Sequence, residues 1–136
     1  MAISFSLAVR NARLQVILDA LDSGTLGGKL IVYTAPRPLT GAAITTQTII
    51  GTCNFSKPSA TIANGVLSLN TVNADLFADS TNTINWARLT NSEGLFVMDV
   101  SCGVIGSGAD IIFNTLSAQL NSTITIDSGS LTEGNA

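Results

Sequence analysis

Nine carboxylates are the side chains of this 136-residue chain that could carry acid–base chemistry, and no histidine accompanies them. Without histidine, the chain lacks the commonest general base, the commonest metal ligand and the usual pH switch. Most of the carboxylates lie at expected turns or at the ends of expected elements, where acidic residues are commonly solvated. They are Asp19, Asp22, Asp75, Asp79, Glu93, Asp99, Asp110, Asp127 and Glu133. We therefore predict no catalytic residue and no enzyme activity.

Asp99 differs from the other carboxylates because it lies inside an otherwise apolar expected strand. A buried carboxylate must be paired or hydrogen-bonded, and Arg88 lies across a short expected hairpin connection. If Thr90 pairs with Leu95, Arg88 opposes Val97 and Asp99 lies on the diagonal. We predict a structural ion pair between Arg88 and Asp99. The alternatives are an exposed Asp99 on an edge strand and a catalytic Asp99.

Two further patterns resemble binding motifs only in part. Asp75 and Asp79, with Asn73 and Asn82, offer oxygen ligands at short spacing, but they lack the glycine and terminal glutamate of a calcium loop. The run Gly103–Gly108 resembles a phosphate-binding loop, but no lysine follows it, and we interpret it as a flexible turn. We expect no metal, no cofactor and no small-molecule substrate.

The lone tryptophan and the two cysteines have ordinary structural interpretations. Trp86 is expected to anchor the core or a subunit contact, because no second aromatic residue accompanies it to form a sugar-binding platform. Cys53 falls on the apolar face of an alternating expected strand, together with Ile49 and Phe55, and Cys102 falls on the apolar face of another. Both cysteines are interpreted as small buried hydrophobic residues. A disulfide between them remains open, and it requires neighbouring strands and an oxidising compartment.

The charge pattern argues against nucleic-acid and membrane partners. The formal net charge is −3, and the six cations are scattered rather than gathered in a basic stripe, which is unlike a nucleic-acid-binding protein. No apolar run approaches the roughly 20 residues that span a bilayer. The N-terminal segment has no basic region before its apolar part, so we expect no secretory signal and folding in a cytosol.

The polar surface is expected to be largely uncharged. Only 11% of the residues are charged, against about 25% in an average protein. Serine, threonine and asparagine together supply roughly 30% of the chain, about twice their usual share. Large uncharged surfaces are often interfaces. A chain of this length also suits one domain, residues 1–136, with its own core.

The segment Ala8–Leu21 is expected to be the one helix, packed on the sheet of the domain. Apolar residues recur there at helical spacing, and the expected packing face comprises Val9, Ala12/Arg13, Val16/Ile17 and Ala20/Leu21. Residues 1–7 are expected to form a short strand or an arm that reaches a neighbour. Its candidate interface residues are Ile3, Phe5 and Leu7, which alternate with serines.

The rest of the chain predicts a mainly β fold. Lys29–Thr34 reads as a central strand that is ended by Pro36 and Pro38, and Asn64-Gly65 is a strong hairpin signal. About seven or eight strands recur at roughly ten-residue spacing, which favours an antiparallel β-sandwich or a jelly-roll-like fold. Residues 128–136 are expected to form a polar tail.

Several short motifs lie between Asn11 and Ile126. They are Asn-x-Arg-Leu (11–14), Leu21-Asp22, Gly24, Gly28–Thr34, a proline near Ala42-Ala43, Ile84–Leu89 and Gly108–Ile112. This pattern resembles a group of small virion structural proteins of tailed bacteriophages. The resemblance implies a non-enzymatic β domain mounted on the particle, and it transfers no functional residues.

Within such virions, a small and poorly charged chain is similar to capsid decoration, or cement, proteins. These are β-rich modules that lie over the joints between major capsid subunits and resist the pressure of packaged DNA. The resemblance implies the major capsid protein and further copies of this chain as partners, in a virion assembled in the bacterial cytoplasm. The alternative is a tail or tail-fibre component, including a receptor- or sugar-binding module.

Overall fold

A computed structural model describes residues 3–70, 72–73 and 78–132 of the chain. The protein is mainly β with one N-terminal helix, and the fold is β-sandwich-like. The elements in chain order are α1 (Leu7–Leu21), β1 (Lys29–Tyr33), β2 (Ile49–Phe55), β3 (Ala60–Ala63), β4 (Val66–Leu69), β5 (Val72–Asn73), β6 (Asn82–Thr83), β7 (Trp86–Thr90), β8 (Phe96–Gly103), β9 (Ile111–Phe113), β10 (Ser117–Ala118) and β11 (Ile126–Thr132).

Nine strands form a sheet in the order β3-β4-β11-β9-β8-β7-β1-β2-β5, and β6 pairs separately with β10. The pairings found in the described residues are antiparallel, except that β8 and β9 run parallel. The predicted mainly β, sandwich-like fold with one N-terminal helix is therefore confirmed. The parallel pair was not predicted, because strand spacing along a chain does not reveal which strands become neighbours.

The strand β1 lies between β2 and β7, as its apolar sequence predicts. Leu30 and Val32 are completely buried. In the pairing of β1 with β2, Ile50 is an extra residue that has no partner. An extra residue interrupts the alternation of side chains between the two faces of a strand. As a result, Ile50 is buried and Ile49 is exposed. The strict alternation of the sequence predicted the opposite for Ile49.

The helix begins one residue earlier than predicted, and it packs through only part of the predicted face. Ser6 caps it, because its Oγ accepts a hydrogen bond of 3.2 Å from the Val9 N–H. The buried residues are Leu14 and Leu21, whereas the side chain of Val16 is 69% exposed. Of the predicted packing face, Leu21 is buried and Ile17 packs against the core, so that part is confirmed. The prediction was wrong for Val9 and Val16, because apolar residues surround much of this helix and periodicity alone cannot select among them.

The predicted polar tail is wrong for residues 128–132, because they belong to β11. This strand pairs with β9 on one side and with β4 on the other. Ser128 and Ser130 are exposed, while Gly129 is buried so close to β4 that an added Cβ would lie 2.6 Å from a methyl carbon of Leu69. The sequence was misread because the two exposed serines and the glycine of this strand have the composition of a polar, unstructured tail. Residues 133–136 lie outside the described residues.

Candidate functional site

The structure brings Arg88 and Asp99 together on the neighbouring strands β7 and β8. Arg88 donates from Nε to Asp99 Oδ1 at 2.7 Å and from Nη2 to Oδ2 at 3.1 Å. The Asp99 side chain is fully buried and that of Arg88 is 11% exposed. This bidentate geometry is the strongest form of a carboxylate–guanidinium contact. It agrees with the predicted structural ion pair.

The register of this pair differs from the predicted diagonal. Thr90 pairs with Phe96 rather than Leu95, and the ladder shifts between Leu89 and Thr90. As a result, Arg88 lies directly opposite Asp99. The hairpin connection is one residue longer than predicted, and Asn91 explains why. Its side-chain oxygen accepts the backbone N–H groups of Glu93 and Leu95, each at 2.9 Å.

The ion pair also holds the long connection between β1 and β2 against the sheet. Asp99 Oδ2 accepts the N–H of Gly41 at 3.1 Å, and Arg88 Nη2 donates to the Ala42 carbonyl at 2.9 Å. Arg37 donates from Nη2 to the backbone carbonyl of Asp99 at 2.9 Å. Sequence analysis missed these contacts. The β1–β2 connection is long and has no repeating pattern of apolar residues, so its sequence does not show which part of it returns to the sheet.

The electrostatics of Asp99 suit a structural role. Burial by itself would raise the pKa of its carboxyl, but hydrogen bonds from Arg88 and Gly41 and the positive charges of Arg88 and Arg37 hold that pKa below its usual value. The hydrogen bond to Asp99 in turn raises the pKa of Arg88. Both Asp99 oxygens already accept hydrogen bonds. The Asp99 carboxylate is thus an anion that stabilises the fold, and it is not arranged as a general base that accepts a proton.

Trp86 is a core residue, as predicted for an anchor, but it does have an aromatic neighbour. Its ring stacks on that of Tyr33, with the centroids 4.7 Å apart and the planes inclined by 14°. Its Nε1 donates to the Thr34 carbonyl at 2.9 Å. Trp86 and Tyr33 are 1% and 5% exposed. The stacked pair therefore offers no platform to a sugar.

Two carboxylates that were interpreted as solvated are structural acceptors instead. Asp22, at the end of α1, accepts hydrogen bonds from the N–H and Oγ–H of Ser59, and Ser59 Oγ accepts the Gly28 N–H at 2.9 Å. Asp110 accepts from the N–H and Oγ–H of Ser101, each at 3.0 Å. Each carboxylate binds a serine that is 37 residues away for Asp22 and nine residues away for Asp110. No local sequence pattern indicates which serine will bind which carboxylate.

Cys53 and Cys102 are not joined by a disulfide. Cys53 is completely buried in the main core, and Cys102 is partly buried against it. Burial, followed by the nearby charge of Asp110, raises the pKa of Cys102 to about 12. A thiol with so high a pKa is a poor nucleophile and a poor metal ligand at neutral pH.

The remaining oxygen-ligand pattern lies partly outside the described residues. Asp75 lies outside the described residues, as do the side-chain surroundings of Asn73. Across residues 3–70 and 78–132, no group of three or more histidine, cysteine, aspartate or glutamate side chains could hold a metal ion. Residues 103–108 form a turn between β8 and β9, in which Ser107 donates its N–H to the Val104 carbonyl at 3.0 Å.

One candidate functional surface consists of exposed apolar residues at the N-terminus, and other apolar side chains are exposed elsewhere among the described residues. Ile3, Phe5 and Leu7, here called the N-terminal apolar surface, are 63%, 37% and 43% exposed. The guanidinium of Arg13 lies 4.8 Å from the centre of the Phe5 ring, which holds Phe5 beside the helix. Of the predicted arm 1–7, Met1 and Ala2 lie outside the described residues, and Leu7 is the first residue of α1.

Comparison with protein-family models, with curated proteins and with solved structures finds no match to this chain. The described part of the chain contains no helix that is both long and apolar enough to cross a bilayer.

Proposed function

We propose that this chain is a non-enzymatic structural protein of a tailed-bacteriophage virion, where it decorates the capsid and stabilises the head lattice. The observation that carries the proposal is the N-terminal apolar surface, formed by Ile3, Phe5 and Leu7. These side chains alternate with serines in the sequence and are exposed on a body whose long connection is held by a buried ion pair. The resemblance of the sequence motifs to small virion proteins supports the same role.

The proposed mechanism is many modest contacts repeated by symmetry. Burying an exposed apolar side chain on a neighbouring subunit contributes up to about 1.5–3 kcal/mol. One such surface gives weak binding, but a protein present in many copies on a symmetric particle multiplies it. The proposed partners are the major capsid protein and other copies of this chain.

The uncharged polar surface supports this mechanism. With 11% charged residues, the protein can approach a neighbour without removing many charges from water, which is the costly part of forming a polar interface. Serine, threonine and asparagine can exchange their bonds to water for bonds across a joint. Interfaces built in this way are adaptable and suit several quasi-equivalent positions.

Binding to particles that lack this protein tests the proposal. The variant Ile3→Ser/Phe5→Ser removes two apolar side chains and keeps Ser6, which caps the helix. We expect its apparent affinity for particles to fall by at least about tenfold with an unchanged melting temperature. The matched control, Ile105→Ser/Leu120→Ser, removes two exposed apolar residues elsewhere and should bind like the parent. Equal binding by the parent and the N-terminal variant would contradict the proposal.

The alternative role in the tail shares this chemistry and differs in location. A sugar-binding tail module needs exposed aromatic rings and polar groups around a pocket. The stacked pair of Trp86 and Tyr33 is buried, and this favours the decoration role over the sugar-binding one. Localisation on the virion separates head from tail.

A further inference from the structure

We propose that helix α1 pairs with α1 of a second copy of this chain, antiparallel and about a twofold axis. The contact face is the helix stripe, defined as Val9, Ala12 and Val16. This inference rests on the proposed function only in that it identifies one of the partners as another copy. It concerns the side chains of the helix stripe rather than those of Ile3, Phe5 and Leu7.

The helix has two apolar faces, and the fold covers one of them. Leu14 and Leu21 pack into the domain and are at most 1% exposed. On the other side, Val9 is 43% and Val16 is 69% exposed, and Ala12 between them is exposed as well. A helix that is apolar on opposite sides is typical of one that is buried on both, and β-branched side chains left in water give no benefit to a monomer.

The spacing of the helix stripe suits a helical partner. Val9 and Val16 lie two turns apart, about 10 Å along the axis, on one side of the helix. Ala12 lies between them, and its small side chain lets a second helix approach to the 8–10 Å interaxial distance that is usual for packed helices. The helix stripe thus has a larger side chain at each end, Val9 and Val16, and a shallow depression at Ala12 between them.

The charges of α1 determine the direction of the partner. Arg10 and Arg13 lie in its N-terminal half and Asp19 in its C-terminal half, with no acidic residue in the first turn and no basic residue in the last. This order opposes the dipole of the helix itself, which favours acids near the N-terminus and bases near the C-terminus. An isolated α1 therefore carries an unfavourable charge order that an external partner can offset.

A second copy in the antiparallel direction supplies the missing charges. With the twofold axis near the middle of the helix stripe, Val9 of each copy faces Val16 of the other. Asp19 of each copy then lies beside the positively polarised first turn of its neighbour. A parallel pair would instead place the like-charged ends of the two helix dipoles side by side. The twofold arrangement is also the commonest one for soluble homo-oligomers.

Sedimentation velocity of the full chain over a wide range of concentrations tests whether the pair forms. We expect a monomer–dimer equilibrium, and we expect Val16→Lys to raise the dissociation constant by at least about tenfold, because it places a positive charge against the positively polarised first turn of the partner helix. The matched control is Ile105→Lys, on an exposed loop that is distant in sequence, and it should leave the equilibrium unchanged. A parent protein that stays monomeric at about 1 mM would overturn the inference.

Cross-linking tests the direction of the pair. Under mild oxidation, a mixture of Val9→Cys and Val16→Cys chains should yield the mixed disulfide, whereas either variant alone should yield little. The native thiols contribute little background, because Cys53 is buried and burial raises the pKa of Cys102 to about 12. Preferential formation of the dimer from Val9→Cys alone would indicate a parallel pair and would overturn the inference.

The two proposals fail in different ways. A chain that is monomeric in solution and still binds particles through the N-terminal apolar surface would overturn the helix pairing and leave the virion role intact. A chain that dimerises through the helix stripe but has no affinity for particles would do the reverse. Circular dichroism of Val16→Lys should match that of the parent, because this side chain is 69% exposed.

Discussion

Arg88 and Asp99 lie directly opposite each other on adjacent strands and share two hydrogen bonds, of 2.7 and 3.1 Å. Around them, Gly41 and Ala42 of the β1–β2 connection bind to the same two side chains. The guanidinium also lies 5.1 Å from the Phe96 ring centre and 5.4 Å from that of Trp86. One ion pair therefore links two strands, a long connection and two aromatic rings.

Replacing Asp99 tests how much the ion pair with Arg88 contributes to the free energy of unfolding. Asp99→Asn keeps the shape of the side chain but leaves the largely buried charge of Arg88 without its partner. Removing one member of a buried pair is costly, so we expect a loss of about 2–4 kcal/mol in the free energy of unfolding, measured with urea. Asp127→Asn, at an exposed position, is the control and should change stability by less than about 0.5 kcal/mol. Similar values for the two variants would contradict the structural role.

Stability should also depend on pH through Asp99. Its pKa is lower in the folded protein than the usual value, which is about 3.9 in an unfolded chain. Its stabilisation is therefore complete above about pH 4 and is lost as the pH falls through the lower, folded-state pKa. Melting temperatures between about pH 2 and pH 7 should fall more steeply in acid for the parent than for Asp99→Asn. Parallel curves would show that this carboxyl does not contribute.

The sequence predicted the parts of the fold that depend on local pattern. The β1 strand, the Asn64-Gly65 hairpin and the extent of α1 are all encoded by runs of neighbouring residues, and the structure contains each of them. The ion pair was predictable because a lone carboxylate in an apolar strand needs a partner, and a hairpin places Arg88 within reach. Its register was not, because the shift near Thr90 depends on the side chain of Asn91.

The features that were missed depend on contacts between distant residues. The burial of Ile50 instead of Ile49 follows from a bulge against β1. The pairing of residues 128–132 follows from strands that lie far away in the sequence. The burial of Leu14, which lay outside the predicted packing face, depends on where β3 and β4 lie, because Leu14 packs with Ala60 and Leu67 of those strands. For each of these three features, the neighbouring residues in the sequence are equally compatible with the structure that was predicted and the structure that is found.

Trp86 should behave as a buried fluorophore. It is the only tryptophan of the chain, it is 1% exposed, and it stacks on Tyr33. We expect blue-shifted emission, weak quenching by acrylamide in the native protein and a red shift on unfolding, because burial excludes water and quencher. Strong quenching in the native state, or a response to added oligosaccharides, would favour the sugar-binding alternative.

Cys102 should be inert toward thiol reagents in the native protein. Its pKa of about 12 leaves little thiolate near pH 8, whereas an unfolded cysteine has a pKa of about 8.5. Alkylation by iodoacetamide, followed by mass spectrometry, should be at least about a hundredfold slower in the native state than in denaturant. Cys53, which is completely buried, provides an internal comparison. Rapid native labelling of Cys102 would contradict the described environment.

The central claim is that this chain decorates the head of a virion, and its location tests that claim most directly. Gold-labelled antibody against the folded protein would be applied to intact virions that carry the chain and viewed by electron microscopy. Particles that lack the protein serve as the control for non-specific labelling. The proposal predicts gold spread over the head surface. Gold confined to the tail or its fibres, with an unlabelled head, would contradict it.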